Sequence, residues 1–128
     1  SVQVTSLQFT VSGTPVGKQR PRVVRGRNGG VHTYTPKNTV AYERLIAVEA
    51  IAAGARRGKL PPPYALEVLI WWPDRRRRDA DNVLKAVGDA LNGVVWEDDS
   101  QVTRTVTEVM GIDKDAPRIC VTVEGRGE

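Results

Sequence analysis

A single α/β domain of the α+β type, with a mixed β-sheet and two main helices packed on it, follows from three features of the sequence. Apolar residues alternate with a period of two over residues 6–11, and residues 64–72 are almost continuously apolar. Two segments between strand-like runs carry helical spacing instead. The chain of 128 residues is read as one domain, 1–128, long enough for a modest core without staples.

In order, Leu7, Phe9 and Val11 share one face of a half-buried first strand, which Gly13-Thr-Pro-Val-Gly17 ends. Arg22-Val-Val-Arg25 and Val31-His-Thr-Tyr34 flank a glycine-rich tip and predict an exposed hairpin. Thr35 fits an N-cap and Pro36 the first turn of a helix running to about Ala55, with Leu45, Val48 and Ala52 as its apolar stripe. Gly54, Gly58 and the prolines 61–63 end it. Residues 64–72, apolar on both faces, predict a central strand. A second helix is expected over residues 79–92, burying Val83, Ala86, Val87, Ala90 and Leu91, with Gly93 beyond its end. Two strands close the chain, over residues 101–110 and 118–124.

The composition, 40% hydrophobic and 27% charged, is that of a globular protein, and no apolar run reaches the ~18 residues of a membrane span. Ser1-Val-Gln-Val-Thr has neither a basic nor an apolar signal region, so a cytoplasmic location without membrane attachment is expected. The lone Cys120 forms no internal disulfide and reads as a small buried thiol. Net charge is +4, but unevenly spread. Residues 1–63 hold ten Lys/Arg against Glu43 and Glu49; residues 64–128 hold nine against thirteen acids. A basic surface for a polyanion beside a local acidic site fits that asymmetry.

The acidic site is sought in Arg75-Arg-Arg-Arg-Asp79-Ala-Asp81-Asn82-Val-Leu-Lys85 and Trp96-Glu-Asp98-Asp99. Asp79 at an N-cap and Asp81 in the first turn converge, and capping plus the helix dipole alone would account for both. From Asp81 the helix carries the chain roughly 18 Å away, and an extended segment over 93–99 spans roughly 23 Å. One of Glu97, Asp98 and Asp99 is therefore expected back at the helix start, with alternation placing Glu97 and Asp99 on one side. Three such carboxylates make an oxygen-only site for a hard divalent cation. His32 is the only histidine and lies in the hairpin, so zinc and imidazole chemistry lack raw material.

Lys85, one turn after Asp81, is either an ion-pair partner or a phosphate contact; Asp89 reads as its structural partner. Lys18, Arg20, Arg22, Arg25, Arg27, Arg76, Arg77 and Arg78 are candidate phosphate contacts, and Arg78 adjoins Asp79 directly. The three tryptophans sit in core-like segments, so base stacking is not suggested. These features predict a metal-dependent nuclease.

The motif Arg77-Arg78-Asp79-Ala-Asp81-Asn82-Val-Leu-Lys85, then Asp89-Ala-Leu and Asp98-Asp99-Ser-Gln-Val102, resembles the RusA family of Holliday-junction resolvases of bacteria and their prophages. Gly13-Thr-Pro15, Lys18-Gln-Arg20-Pro21-Arg22 and Tyr34-Thr-Pro36 extend the likeness over most of the chain. The resemblance implies a homodimeric RusA-like endodeoxyribonuclease, dependent on Mg²⁺ or Mn²⁺, that nicks opposed strands of a four-way DNA junction in recombination and repair. It assigns Asp79, Asp81 and Asp99 to the metal, Lys85 to catalysis and Arg78 to the site's basic flank. The family pattern has a basic residue in the strand after the Asp-Asp pair, where this chain reads Thr107-Glu108-Val109. The alternatives are a broader nuclease of flaps and forks, and a non-catalytic basic DNA-binding module.

Overall fold

Strand propensity and apolar alternation build most of this molecule, whose computed structural model describes residues 5–19, 22–26, 29–34 and 36–127, without the side chains of 22, 24 and 32–34. The elements are β1 (Thr5–Ser12), β2 (Arg22–Arg25), β3 (Val31–Tyr34), α1 (Lys37–Ala52), β4 (Tyr64–Trp72), α2 (Ala80–Ala90), β5 (Val102–Ile112) and β6 (Arg118–Gly125). β2 and β3 form a separate antiparallel hairpin. The other strands make one mixed sheet in the order β1-β6-β4-β5, with only β4 and β5 parallel. The α+β architecture is therefore as the sequence predicts.

Register explains the core. Leu7, Phe9 and Val11 lie opposite Val123, Val121 and Ile119. Those three residues lie opposite Leu66, Val68 and Ile70 on their other side. All nine are buried on one face, and Ile46, Val83, Val87 and Leu91 pack over them. Each fully buried aliphatic side chain there contributes about 1.5–3 kcal/mol. β4 is central, as expected, but is buried on one face only; Ala65, Leu69 and Trp71 on the other are half-buried. No helix among the described residues is long and apolar enough to cross a membrane.

Three expectations need correction. The stripe assigned to α1 faces outward: Val48 is 58% exposed, and the buried side is Thr39, Tyr42, Ile46 and Ala50. Apolar residues lie nearly all round this helix, so spacing alone does not select a face. Cys120 is half-buried rather than core, because β6 alternates Ile119, Val121 and Val123 inward. Its sulfur sits 3.5 Å from the Thr10 hydroxyl. Pro36 is the N-cap residue of α1 rather than part of its first turn, and the expected cap Thr35 lies outside the described residues.

Lys18 ties the two helices to the segment after β1. Its Nζ lies 2.9 Å from Glu43 Oε1 on α1 and 3.2 Å from Asp89 Oδ2 on α2. The hydrogen bond from Glu43 is the main reason its pKa rises above 10.5; partial burial opposes the rise and Asp89 adds to it. The tie is therefore complete below the unfolded value of 10.5 and is lost as pH climbs through the higher folded value. In urea melts Lys18→Met is expected to be less stable than the parent by on the order of 0.5–1 kcal/mol near neutrality. That gap closes in alkali; a gap that persists or widens there would contradict the ion-pair account.

Candidate active site

α2 begins where β4 ends, and its first turn carries both early aspartates. Asp79 is the N-cap in extended geometry, with its side chain accepting from the Asp81 backbone N–H at 2.9 Å. The capping role weighed from sequence is thus real. It occupies Oδ1, leaving the other Asp79 oxygen and the whole Asp81 carboxylate without a printed partner. Both residues are exposed, and the helix dipole favours negative charge there.

Arg78 is held beside them. Its guanidinium lies 2.7 Å from Asp74 Oδ1 and 5.1 Å from the Trp72 ring centroid. The bond to Arg78 holds the Asp74 carboxyl below its usual range, helped by the Arg76 backbone N–H. Arg78 is thus positioned by an anchor on each side, whereas Arg76 and Arg77 are exposed. Lys85 is exposed one turn along, and no ion pair engages it among the described residues. The Asp89 partner expected for Lys85 serves Lys18 instead. A phosphate contact through Lys18 would first have to break two ion pairs. Arg25 is exposed at the end of β2; Arg20 and Arg27, and the Arg22 side chain, lie outside the described residues.

Asp99 is elsewhere. The expected extended return over 93–99 does not occur: Val94 and Val95 N–H groups turn back to the Leu91 carbonyl, and Trp96 Nε1 donates to Asn92 Oδ1 at 2.9 Å. Gly93, at φ 79°, makes the reversal. Asp99 opens a short 3-10 turn, Asp99–Gln101, directly before β5. There Val102 pairs with Tyr64, at the start of β4, while Asp79 follows its end. β4 spans its nine residues over roughly 25 Å, so Asp99 sits at the far end of the sheet from Asp79 and Asp81. Accordingly no group of three or more His, Cys, Asp or Glu is gathered for a metal among the described residues. Of the neighbouring acids, Asp98 accepts from Ser100 Oγ at 2.7 Å, which lowers its pKa. The return to the α2 start is made by β5, whose continuation Asp113 donates its N–H to the Trp72 carbonyl at 2.8 Å. That carboxylate is already paired with Arg118.

Two features escaped the sequence reading. Gly17 abuts α2 so closely that an added Cβ would fall 2.9 Å from Asn82 Cβ, and the Lys18 N–H bonds the Asn82 carbonyl at 2.8 Å. The segment after β1 thus braces the helix turn that carries the aspartates. Second, exposed Arg56, Arg57 and Lys59 border a hollow of about 380 Å³, and Arg57 shares another with Glu97 and Gln101. They form a basic group at the Asp99 end; their run in the sequence was the available signal.

A family profile described as "Endodeoxyribonuclease RusA" matches residues 12–124. A Bacillus subtilis (strain 168) protein described as "Uncharacterized protein YqaN" is 29% identical over 119 aligned positions, covering 75% of this chain and 81% of that protein.

The cap and any ligand role of Asp79 separate by substitution. Asp79→Ala is expected to destabilise by about 1 kcal/mol in chemical melts, while Asp79→Asn, still a capping side chain, stays within a few tenths of the parent. Equal losses in both would mean that charge at the helix start, not the cap bond, is what matters.

Proposed function

The chain belongs to the RusA family of endodeoxyribonucleases, and on that premise we propose that it resolves four-way DNA junctions by paired nicks in opposed strands. The observation that carries this reading is the α2 start: two exposed carboxylates, an anchored Arg78 and an unpaired Lys85 within one helix turn of each other. Asp79 and Asp81 are hard oxygen donors open to solvent, a fit for Mg²⁺ or Mn²⁺ that leaves room for water and substrate phosphate. Bound there, the cation supplies Lewis acidity to a scissile phosphodiester and its attacking water. Arg78 then orients the phosphate, and Lys85 contacts it or steadies the water.

Asp99 joins this set only from a second copy, because within one subunit β4 lies between it and the other two. A homodimer is therefore part of the reading, and its two-fold symmetry suits the near two-fold symmetry of a junction. Arg25, Arg76 and Arg77, with Arg20, Arg22 and Arg27, supply phosphate contacts, so binding weakens steeply with salt. A cytoplasmic location belongs to the same reading.

The first test offers a synthetic four-way junction, a flap and a linear duplex, each with Mg²⁺ and with EDTA. Symmetric metal-dependent nicks on the junction alone are expected, with Asp81→Asn losing about a hundredfold or more in rate while still binding. Cutting spread over all branched forms would favour a broader nuclease; undiminished cutting by Asp81→Asn would end the site assignment.

A second test asks where Asp99 acts. Co-expressed Asp79→Asn and Asp99→Asn chains, each inactive alone, are expected to form mixed dimers with one intact site and to make single nicks. If all three aspartates acted within one subunit, no mixed dimer would hold an intact site.

A further inference from the structure

β5 is an edge strand with its outer side unpaired among the described residues. Such an edge, with Val109 47%, Met110 47% and Ile112 49% exposed, is a template for another strand. We infer that β5 pairs antiparallel with β5 of a second copy, centred on Val106, joining two four-stranded sheets into one. This rests on the dimeric reading above and names its interface.

Three observations select that partner and register. First, β5 runs in unbroken register with β4 only between the irregularities at its two ends, from Arg104 opposite Ala65 to Val109 opposite Ile70. An edge pairs most regularly over that stretch. Second, a two-fold axis normal to the sheet keeps each face on its own side, so directly opposed residues must share a face. Arg104, Val106 and Glu108 share the face opposite the helices, through their partners Ala65, Glu67 and Leu69. Centring on Val106 sets Arg104 opposite Glu108 of the partner subunit, twice by symmetry; moving the centre by one residue either way opposes neither charge to its opposite. Arg104 and Glu108 are exposed and make no ion pair among the described residues. Glu108 is also where the chain departs from the basic residue of the family pattern.

Third, the register repairs the divided site. Asp99 lies seven residues before Val106 and Asp113 seven after it. The partner's Asp99 therefore arrives level with Asp113, whose N–H bonds Trp72, the residue under Arg78. That is the end of the sheet where Asp79 and Asp81 stand. The interface is isologous and closes on itself, so it stops at two copies.

Sedimentation equilibrium on the full chain tests this. Arg104→Glu opposes Glu to Glu, and Glu108→Arg opposes Arg to Arg, at both symmetric positions. Each alone is expected to weaken the dimer roughly tenfold or more, since like charges directly opposed are unfavourable. An equimolar mixture of the two variants restores opposite charges at both positions and is expected to associate about as tightly as the parent. So is the doubly substituted R104E/E108R chain. That rescue excludes misfolding as the cause of the single effects.

Single variants that dimerise like the parent, or a mixture no tighter than its components, would overturn the interface. If nicking by mixed Asp79→Asn and Asp99→Asn chains nevertheless persisted, the shared site would stand and the contact would lie elsewhere. The exposed α1 stripe is the place to look, with Val48→Lys as its probe. A parent chain that stays monomeric at every concentration would overturn both.

Discussion

The parallel pairing of β4 with β5 is the constraint from which the rest of the site follows. Parallel neighbours cannot be joined by a tight turn, so the chain must leave the end of β4 and travel back before β5 can start. α2 makes that crossing, buries Val83, Ala86 and Val87 against the sheet, and delivers residues 91–101 beside Tyr64. Acids that begin the crossing and acids that end it are thereby held a strand length apart. Close packing at both ends enforces this: Arg78 lies over Trp72 at one, and Tyr64 and Trp96 rings meet at 5.5 Å at the other. A catalytic centre using both acidic groups then has to be built from two chains, which makes the dimer a chemical requirement.

Around this frame charges fall into two kinds. Some serve the fold: Lys18 bridges α1 and α2, and Arg118 lies 4.1 Å from the Trp71 ring while pairing with Asp113. Others stay free in water, among them Lys85, Arg56, Arg57 and Lys59. Only the second kind can meet a phosphate backbone without first giving up a partner. Asp79 belongs to both kinds, since one of its oxygens orders the helix that presents the rest of the motif. Bracing of that helix by Gly17 explains why the segment before the hairpin matters to a site sixty residues later.

The places where sequence reasoning failed share a cause. For α1, apolar residues on several sides left the buried face undetermined until β1 and α2 chose it. For residues 93–99, length alone permitted an extended return, but hydrogen bonds to the Leu91 carbonyl and the Trp96–Asn92 contact fold the segment into turns. Lys85 and Lys18 were each expected in the other's position, because i,i+4 spacing favoured Asp89 for Lys85 and only tertiary approach offered it to Lys18.

What the sequence determined by itself was therefore local. Alternation marked the strands, Asp79 announced its own helix cap, Gly93 the reversal after α2, and the spacing of Asp79, Asp81 and Lys85 set one charged helix turn. These depend on neighbours a few residues apart, where backbone geometry leaves little choice. Tertiary structure alone decided which face of α1 is buried, which carboxylate neutralises which lysine, and that Asp99 lies across the sheet from its fellow aspartates. Those outcomes turn on strand order and direction, which long-range packing selects and short-range spacing does not encode.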